Sequence, residues 1–258
     1  MRLMKRILSA AAVLALSASL LVGCSSGTAS SVPVSASSAA ESTVSSVEET
    51  ASSAVDENEA AAAQLLNDLT GSYQELWPVI LADEYKQTWL DDCTALVGED
   101  NAEAAFEKLS SMVTGDVYGE DAVKAYANGG GAYFCGFTNS LAILTFDGET
   151  STISGTDKDG NVLFSHTYHY IGMEPVHGLY EFESDDADSG EFTYFFLAPD
   201  TSAETYHIEF RYGSDADALS QYDAGEYAYW VASGISTDCD QTMIDNCIEL
   251  FCTENLAG

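Results

Sequence analysis

The sequence predicts a mainly β domain with α-helices: a closed antiparallel barrel carrying helices at its N-terminal and C-terminal ends. Three observations predict it. The spacing of apolar residues changes from helical to alternating at Gly129-Gly130-Gly131. Short alternating runs then follow at close intervals, separated by turn residues. The stretch from Ala60 to Gly258 holds the three tryptophans and every tyrosine, one domain's worth of core.

The first segment, 1–23, reads as a secretion signal. Arg2, Lys5 and Arg6 precede an apolar run from Ile7 to Val22 that contains no acid. A run of about 16 residues is short for a spanning helix, the competing reading. Leu20-Leu21-Val22-Gly23-Cys24 completes a bacterial lipoprotein signal, so the mature chain is expected to begin at a lipidated Cys24. Two or more acyl chains on that residue hold a protein at a membrane stably, where one chain binds marginally. The protein is therefore expected outside the cytoplasm, anchored to the bacterial cell membrane through lipid alone. From there to residue 59 the chain is rich in Ser, Ala, Thr and Glu and has no aromatic residue. Such a composition buries too little apolar area to offset the entropy of ordering, so 24–59 reads as a flexible stalk.

In the domain itself, 60–258, helices come first. Ala60–Leu69 is rich in Ala, Leu and Gln, and Asp83–Val97 sets Tyr85, Trp89, Cys93 and Leu96 on one stripe. Asn101–Val113 and Glu120–Ala127 continue the helical region. Strands are expected at Ala132–Phe137, Leu141–Phe146, Thr150–Ser154, Val162–Tyr170, Leu179–Glu183, Glu191–Leu197 and Thr205–Tyr212. Asp147-Gly148, Asp159-Gly160-Asn161 and Asp188-Ser189-Gly190 supply the turns between them. Asp157 to Asn161 opens like a calcium loop, but its acids and glycine fall at the wrong offsets, and it reads as a hairpin turn. Six to eight short strands bury a face by stacking on another sheet or by closing, and closure also removes the edges. The favoured architecture is a lipocalin-like (calycin) barrel. Helices at Ser214–Tyr222 and Thr242–Cys252 complete the chain, and Tyr227, Tyr229 and Trp230 read as cover for the barrel's open end.

Charge excludes one class of partner. After Cys24 there are five basic residues, Lys86, Lys108, Lys124, Lys158 and Arg211, against 42 acids, a formal charge of −37. That field repels nucleic acid and anionic lipid. It favours solubility, and it also concentrates divalent cations near the surface. Cys93, Cys135, Cys239, Cys247 and Cys252 form no CxxC pair, and their odd number leaves at least one unpaired. The chain has no GxSxG, no glycine-rich phosphate loop and no HExxH, so no enzyme is expected.

The four histidines are His166, His169, His177 and His207, and His166 and His169 fall on opposite faces of one strand. Thr205, His207 and Glu209 alternate along another strand and share a face, while Tyr206, Ile208 and Phe210 share the other. An imidazole and a carboxylate about 7 Å apart suit zinc if that face lines the lumen. If the face is instead the wet outside, the aromatic side is core. Parity leaves both readings open.

Several short pieces resemble the ZinT family of extracytoplasmic zinc-binding proteins. They are Gly71-Ser72-Tyr73-Gln74-Glu75-Leu76-Trp77-Pro78, Tyr168-His169-Tyr170-Ile171-Gly172, Gly178-Leu179-Tyr180-Glu181-Phe182-Glu183, Ala198-Pro199, Tyr206-His207-Ile208 and Tyr212-Gly213-Ser214-Asp215. The resemblance spans most of 68–235. It implies a lipocalin-like barrel, a zinc cofactor and service to a zinc-uptake transporter. The family holds zinc with a histidine before the Ala-Pro loop and a His-x-His pair on the next strand. His207 matches the last of these; Thr205 and Phe195 stand where the other two would be. A rebuilt site would then use His207 and Glu209 with His169 or His177. The first functional expectation is a surface lipoprotein that binds a divalent metal, zinc foremost, for buffering or delivery to an uptake system. The alternative is a lipocalin-like small-molecule or protein interaction module that has lost metal binding.

Overall fold

A computed structural model describes residues 57–199 and 207–257. The expected signal, Cys24 and nearly all of the stalk lie outside the described residues, as do Thr205 and Tyr206. The described chain opens with a helix, α1, over 57–68. Then follow β1 (Gly71–Glu75), α2 (Leu76–Ile80), a 3-10 turn (Asp83–Tyr85), α3 (Lys86–Val97), α4 (Glu99–Ser111) and α5 (Glu120–Ala127). The strands β2 (Ile143–Asp147), β3 (Thr152–Thr156), β4 (Val162–Met173), β5 (Tyr180–Ser184), β6 (Tyr194–Leu197) and β7 (His207–Gly213) come next. The short α6 (Ala216–Leu219), β8 (Ala232–Ser236) and α7 (Gln241–Leu256) finish the chain.

All eight strands are antiparallel neighbours in sequence order, and β1 pairs with β8 to close the barrel. The lipocalin-like architecture predicted from the alternating pattern is the one observed. One strand is corrected. Residues 132–137 are not among the eight; they run beside β8 beyond the end of β1, held by Val231 N–H to Phe134 O at 3.1 Å and Ser233 N–H to Cys135 O at 3.0 Å. The places in the barrel went to β1 and β8, whose small and polar residues gave no strand pattern. The Val162–Tyr170 strand extends to Met173 through an irregularity between Tyr170 and Gly172.

Register settles the direction of every side chain. Facing partners follow the ring as Tyr73–Leu144, Phe146–Ile153, Gly155–Phe164, Phe182–Phe195 and Leu197–Phe210. These residues define the lumen, and it is packed with aromatic rings. Phe195 stands 5.4 Å from Tyr168 and 6.4 Å from Phe210, centroid to centroid. Gly155 makes this density possible: a Cβ there would lie 2.4 Å from both Leu141 Cδ1 and Phe164 Cε1. At one end Trp230 closes edge-on against Tyr212 at 5.0 Å and donates its Nε1–H to Gly136 O at 2.9 Å. Thr138 donates its backbone N–H to the Tyr212 hydroxyl at 2.6 Å.

The helices build a second apolar layer outside the barrel. Trp77 meets Phe251 at 4.8 Å, and Trp89 reaches both Phe106 (5.6 Å) and Phe251 (6.0 Å). Trp89 is fully buried and donates its Nε1–H to Ile80 O at 2.7 Å, which satisfies its polar atom inside the core. No helix among the described residues is long and apolar enough to cross a membrane.

Candidate functional site

The face of β7 that carries His207, Glu209 and Arg211 points out of the barrel, because its facing partners are Ser233 and Ile235 on one side and Phe196 on the other. Ile208, Phe210 and Tyr212 point inward. The aromatic side is therefore core, but the polar side is not wet. All seven residues of β7 are buried, with His207 7 %, Glu209 8 % and Arg211 0 % exposed. Chain folded over the outside of β7 covers them.

Two segments lie over the Arg211 end of this face. The first follows β7: Asp215 caps α6 by accepting the Ala218 N–H at 3.1 Å, and the chain then turns back across the strand. Arg211 fastens it, donating to the carbonyls of Leu219 and Tyr227 and to Gln221 O at 3.3 Å. Its guanidinium carbon sits 4.2 Å from the centre of the Tyr222 ring. The second segment is the turn between β4 and β5. Glu174, 0 % exposed, accepts the N–H groups of Val176 (2.9 Å) and His177 (2.6 Å). Gly178 takes φ +75° to close this turn, a conformation that favours glycine. The His177 ring meets Tyr222 at 3.7 Å and its Nδ1 lies 3.4 Å from Glu174 Oε2.

Tyr222 thus joins the two segments, touching His177 from one and Arg211 from β7. The electrostatics follow from this crowding. Burial pushes the Glu174 carboxyl up, but the His177 side chain, the two backbone N–H bonds and the imidazole charge outweigh it and hold the group below the usual carboxylate range. Burial lowers the Arg211 value, while Tyr222, Tyr133 and Glu174 act to raise it. On the far side of Glu209, burial and then the Glu209 charge push the Cys247 thiol up to about 12, and Cys135 is raised by the same two causes. The arrangement is a buried polar cluster in which Arg211 is the cation.

The four expected metal-site residues fall in different places. His207 and Glu209 share one face of β7. His177 joins the same covered region through Tyr222, whose hydroxyl also feels the Glu209 charge. His169 is on the outer face of β4, opposite Glu183 of β5 and half exposed, with its Nδ1 2.7 Å from Asp185 Oδ1. Two strands separate it from β7. His166 likewise meets Asp186 at 2.7 Å.

The four expected ligands are not gathered at one point, since two strands separate His169 from His207 and Glu209. Both Glu174 oxygens already accept backbone N–H groups, and the Arg211 cation next to the cluster opposes a second positive charge. Among the described residues, no group of three or more His, Cys, Asp or Glu is arranged to hold a metal ion. Sequence reasoning missed Arg211, Glu174 and Tyr222. A signal for the first was present: Arg211 continues the alternation of Thr205, His207 and Glu209 and is the only arginine after Arg6.

No family model matches the chain, and no curated protein matches it. Among solved structures it is similar to the Zn(II)-bound ZinT-like domain of Streptococcus pneumoniae AdcA, at 15 % identity over 70 % of this chain and 87 % of that one, with a TM-score of 0.44. Similarity to Zn(II)-bound AdcA itself is 13 % over 70 % of this chain, with a TM-score of 0.41, and covers 34 % of the AdcA chain.

Proposed function

We propose that this protein is an extracytoplasmic lipoprotein, tethered through Cys24, whose barrel works as a protein interaction module rather than as an enzyme or a metal store. The observation that carries the reading is the buried polar cluster behind an exposed apolar rim. The side chains that could have served chemistry are turned outward and covered, with the buried Arg211 guanidinium on the same strand face. Beside them Ile171, Met173 and Val176 stand 41 %, 38 % and 64 % exposed around the Glu174 turn. The lumen is a poor candidate for a small molecule, since Phe182, Phe195 and Phe210 are at most 1 % exposed and fill it. Because the whole chain after Cys24 carries a formal charge of −37, the partner is expected to offer apolar and basic side chains.

A photo-crosslinking residue at Val176 tests this in intact cells, with Val162 as control: that residue is 70 % exposed at the opposite end of β4. A discrete envelope-protein adduct from the Val176 site and none from Val162 supports the reading. Equal labelling from both sites refutes it.

A second reading is divalent-metal binding, zinc foremost, for buffering or delivery to an uptake transporter. It is favoured by His207 and Glu209 lying side by side on one face of β7 with His177 under the same cover. Zinc titration by calorimetry with metal analysis, on the mature chain with Cys24→Ser, compares the wild-type site with His207→Ala. Tight, stoichiometric binding lost in the variant would replace the first reading by this one. Weak binding of many equivalents, unchanged in the variant, assigns the metal to the acidic surface.

A further inference from the structure

Two thiols meet inside the helical layer. Cys93 on α3 and Cys252 on α7 are both 0 % exposed, and their sulfurs are 3.9 Å apart although the residues are separated by 159 positions. Trp89, four residues before Cys93, and Phe251, next to Cys252, bring the two helices together with their rings 6.0 Å apart. Cys135 and Cys247 lie elsewhere, on the Glu209 side of the barrel.

We propose that Cys93 and Cys252 are a disulfide site, closed once the chain is outside the cytoplasm; the cellular part of this inference rests on the extracytoplasmic reading above. Bonding requires the sulfurs to approach from 3.9 Å to about 2.05 Å, a movement within reach of side-chain rotation. The oxidant is a small-molecule or protein disulfide. One cysteine thiolate attacks a sulfur of that disulfide, forming a mixed disulfide and expelling one thiolate. The second cysteine thiolate attacks the protein sulfur of the mixed disulfide and expels the other. Two thiols lose two protons and two electrons, and the oxidant leaves as two thiols.

Burial first, then the Asp92 charge, raises Cys93, opposed by its contact with Cys252; Cys252 is raised by burial and by Cys93. Both thiols are therefore poorly ionised inside the finished core. The exchange belongs to the time before α7 docks, or to moments when that terminal helix opens. Once formed, the bond ties the end of the chain to α3.

The test uses the mature chain with Cys24→Ser, refolded in a glutathione–glutathione disulfide buffer, alkylated in denaturant and analysed by intact mass and peptide mapping. The expected result is three alkylated thiols out of five and one linked peptide pair containing Cys93 and Cys252. Reduction is expected to lower the melting midpoint by about 5–15 °C, a shift absent in Cys93→Ser and in Cys252→Ser. Five alkylated thiols, or a link through Cys135, Cys239 or Cys247, would overturn the pairing. The same alkylation on the full-length chain trapped in cells separates the two claims. A link in the refolded protein with reduced thiols in the cell would overturn the extracytoplasmic placement and leave the pairing standing.

Discussion

Replacing Arg211 by methionine is expected to destabilise the domain by about 3–5 kcal/mol, the cost of leaving buried partners without their cation. The structure supplies the pieces. Arg211 is 0 % exposed and donates to three carbonyls, those of Leu219, Gln221 and Tyr227. Bonds from a charged donor are worth about 1.5–3 kcal/mol each, and the Tyr222 contact adds about 1 kcal/mol. Methionine recovers part of that sum, because it fills much of the volume and needs no desolvation of charge. Glu174 and Glu209, whose charges both act on Tyr222, stay in place when the guanidinium is gone. Against a total stability of about 5–15 kcal/mol the loss is large. In urea, with a slope of about 2 kcal/mol per molar, the midpoint is expected to fall by about 1.5–2.5 M. Arg211→Lys keeps the charge but not the planar fork, and about half the shift is expected. Far-UV circular dichroism and tryptophan fluorescence follow the transition. A midpoint change below about 0.3 M in the methionine variant would refute the view that Arg211 holds the cover to β7.

Glu174→Gln tests the other end of the cluster. The folded-state value of Glu174 is depressed, so its contribution is present above the unfolded value of 4.5 and is lost as pH falls through the folded value. The variant is expected to be less stable than wild type by about 1–3 kcal/mol at pH 7, with the gap closing below pH ~4, as measured by urea unfolding at each pH. An equal gap at pH 7 and pH 3 would show that the carboxylate charge is not what stabilises the turn. Gly155→Ala places a methyl group 2.4 Å from Leu141 Cδ1 and Phe164 Cε1. Overpacking of this kind costs about 1–3 kcal/mol, so calorimetry should give a melting midpoint about 2–12 °C lower; an unchanged midpoint would mean the lumen has slack.

The barrel was legible because its middle strands carry large residues at every second position. In β6 and β7, Phe195, Leu197, Ile208, Phe210 and Tyr212 announce a buried face whatever lies on the other side. β1 and β8 were not legible, and packing explains why. Gly-Ser-Tyr-Gln-Glu and Ala-Ser-Gly-Ile-Ser offer few large side chains because neighbours press on them: a Cβ at Gly234 would come within 3.1 Å of Ile208 Cγ1 and 3.3 Å of Phe137 Cζ. Their places follow from the requirement to close the ring, a property of the whole chain. The site was half legible. Alternation put His207 and Glu209 together, as observed, but the choice between lumen and solvent had a third answer, a covered outer wall. The partners that make it so are backbone carbonyls of Leu219, Gln221 and Tyr227, which leave no trace in residue type. Tyr222 and His177 are brought together by two loops far apart in sequence.

The pairing of β1 with β8 sets the order in which this chain can fold. Tyr73 and Ser236 face each other across the seam, so a polypeptide delivered N-terminus first has to hold its opening strand in waiting until nearly all of the domain has emerged. Until then β1 and β7 both present free edges, the state most open to pairing with other molecules. A chain cut short before residue 232 never leaves that state. Quality control acting on this protein therefore meets a sharp boundary: residues 232–236 decide whether the product is a sealed cylinder or an open, adhesive sheet.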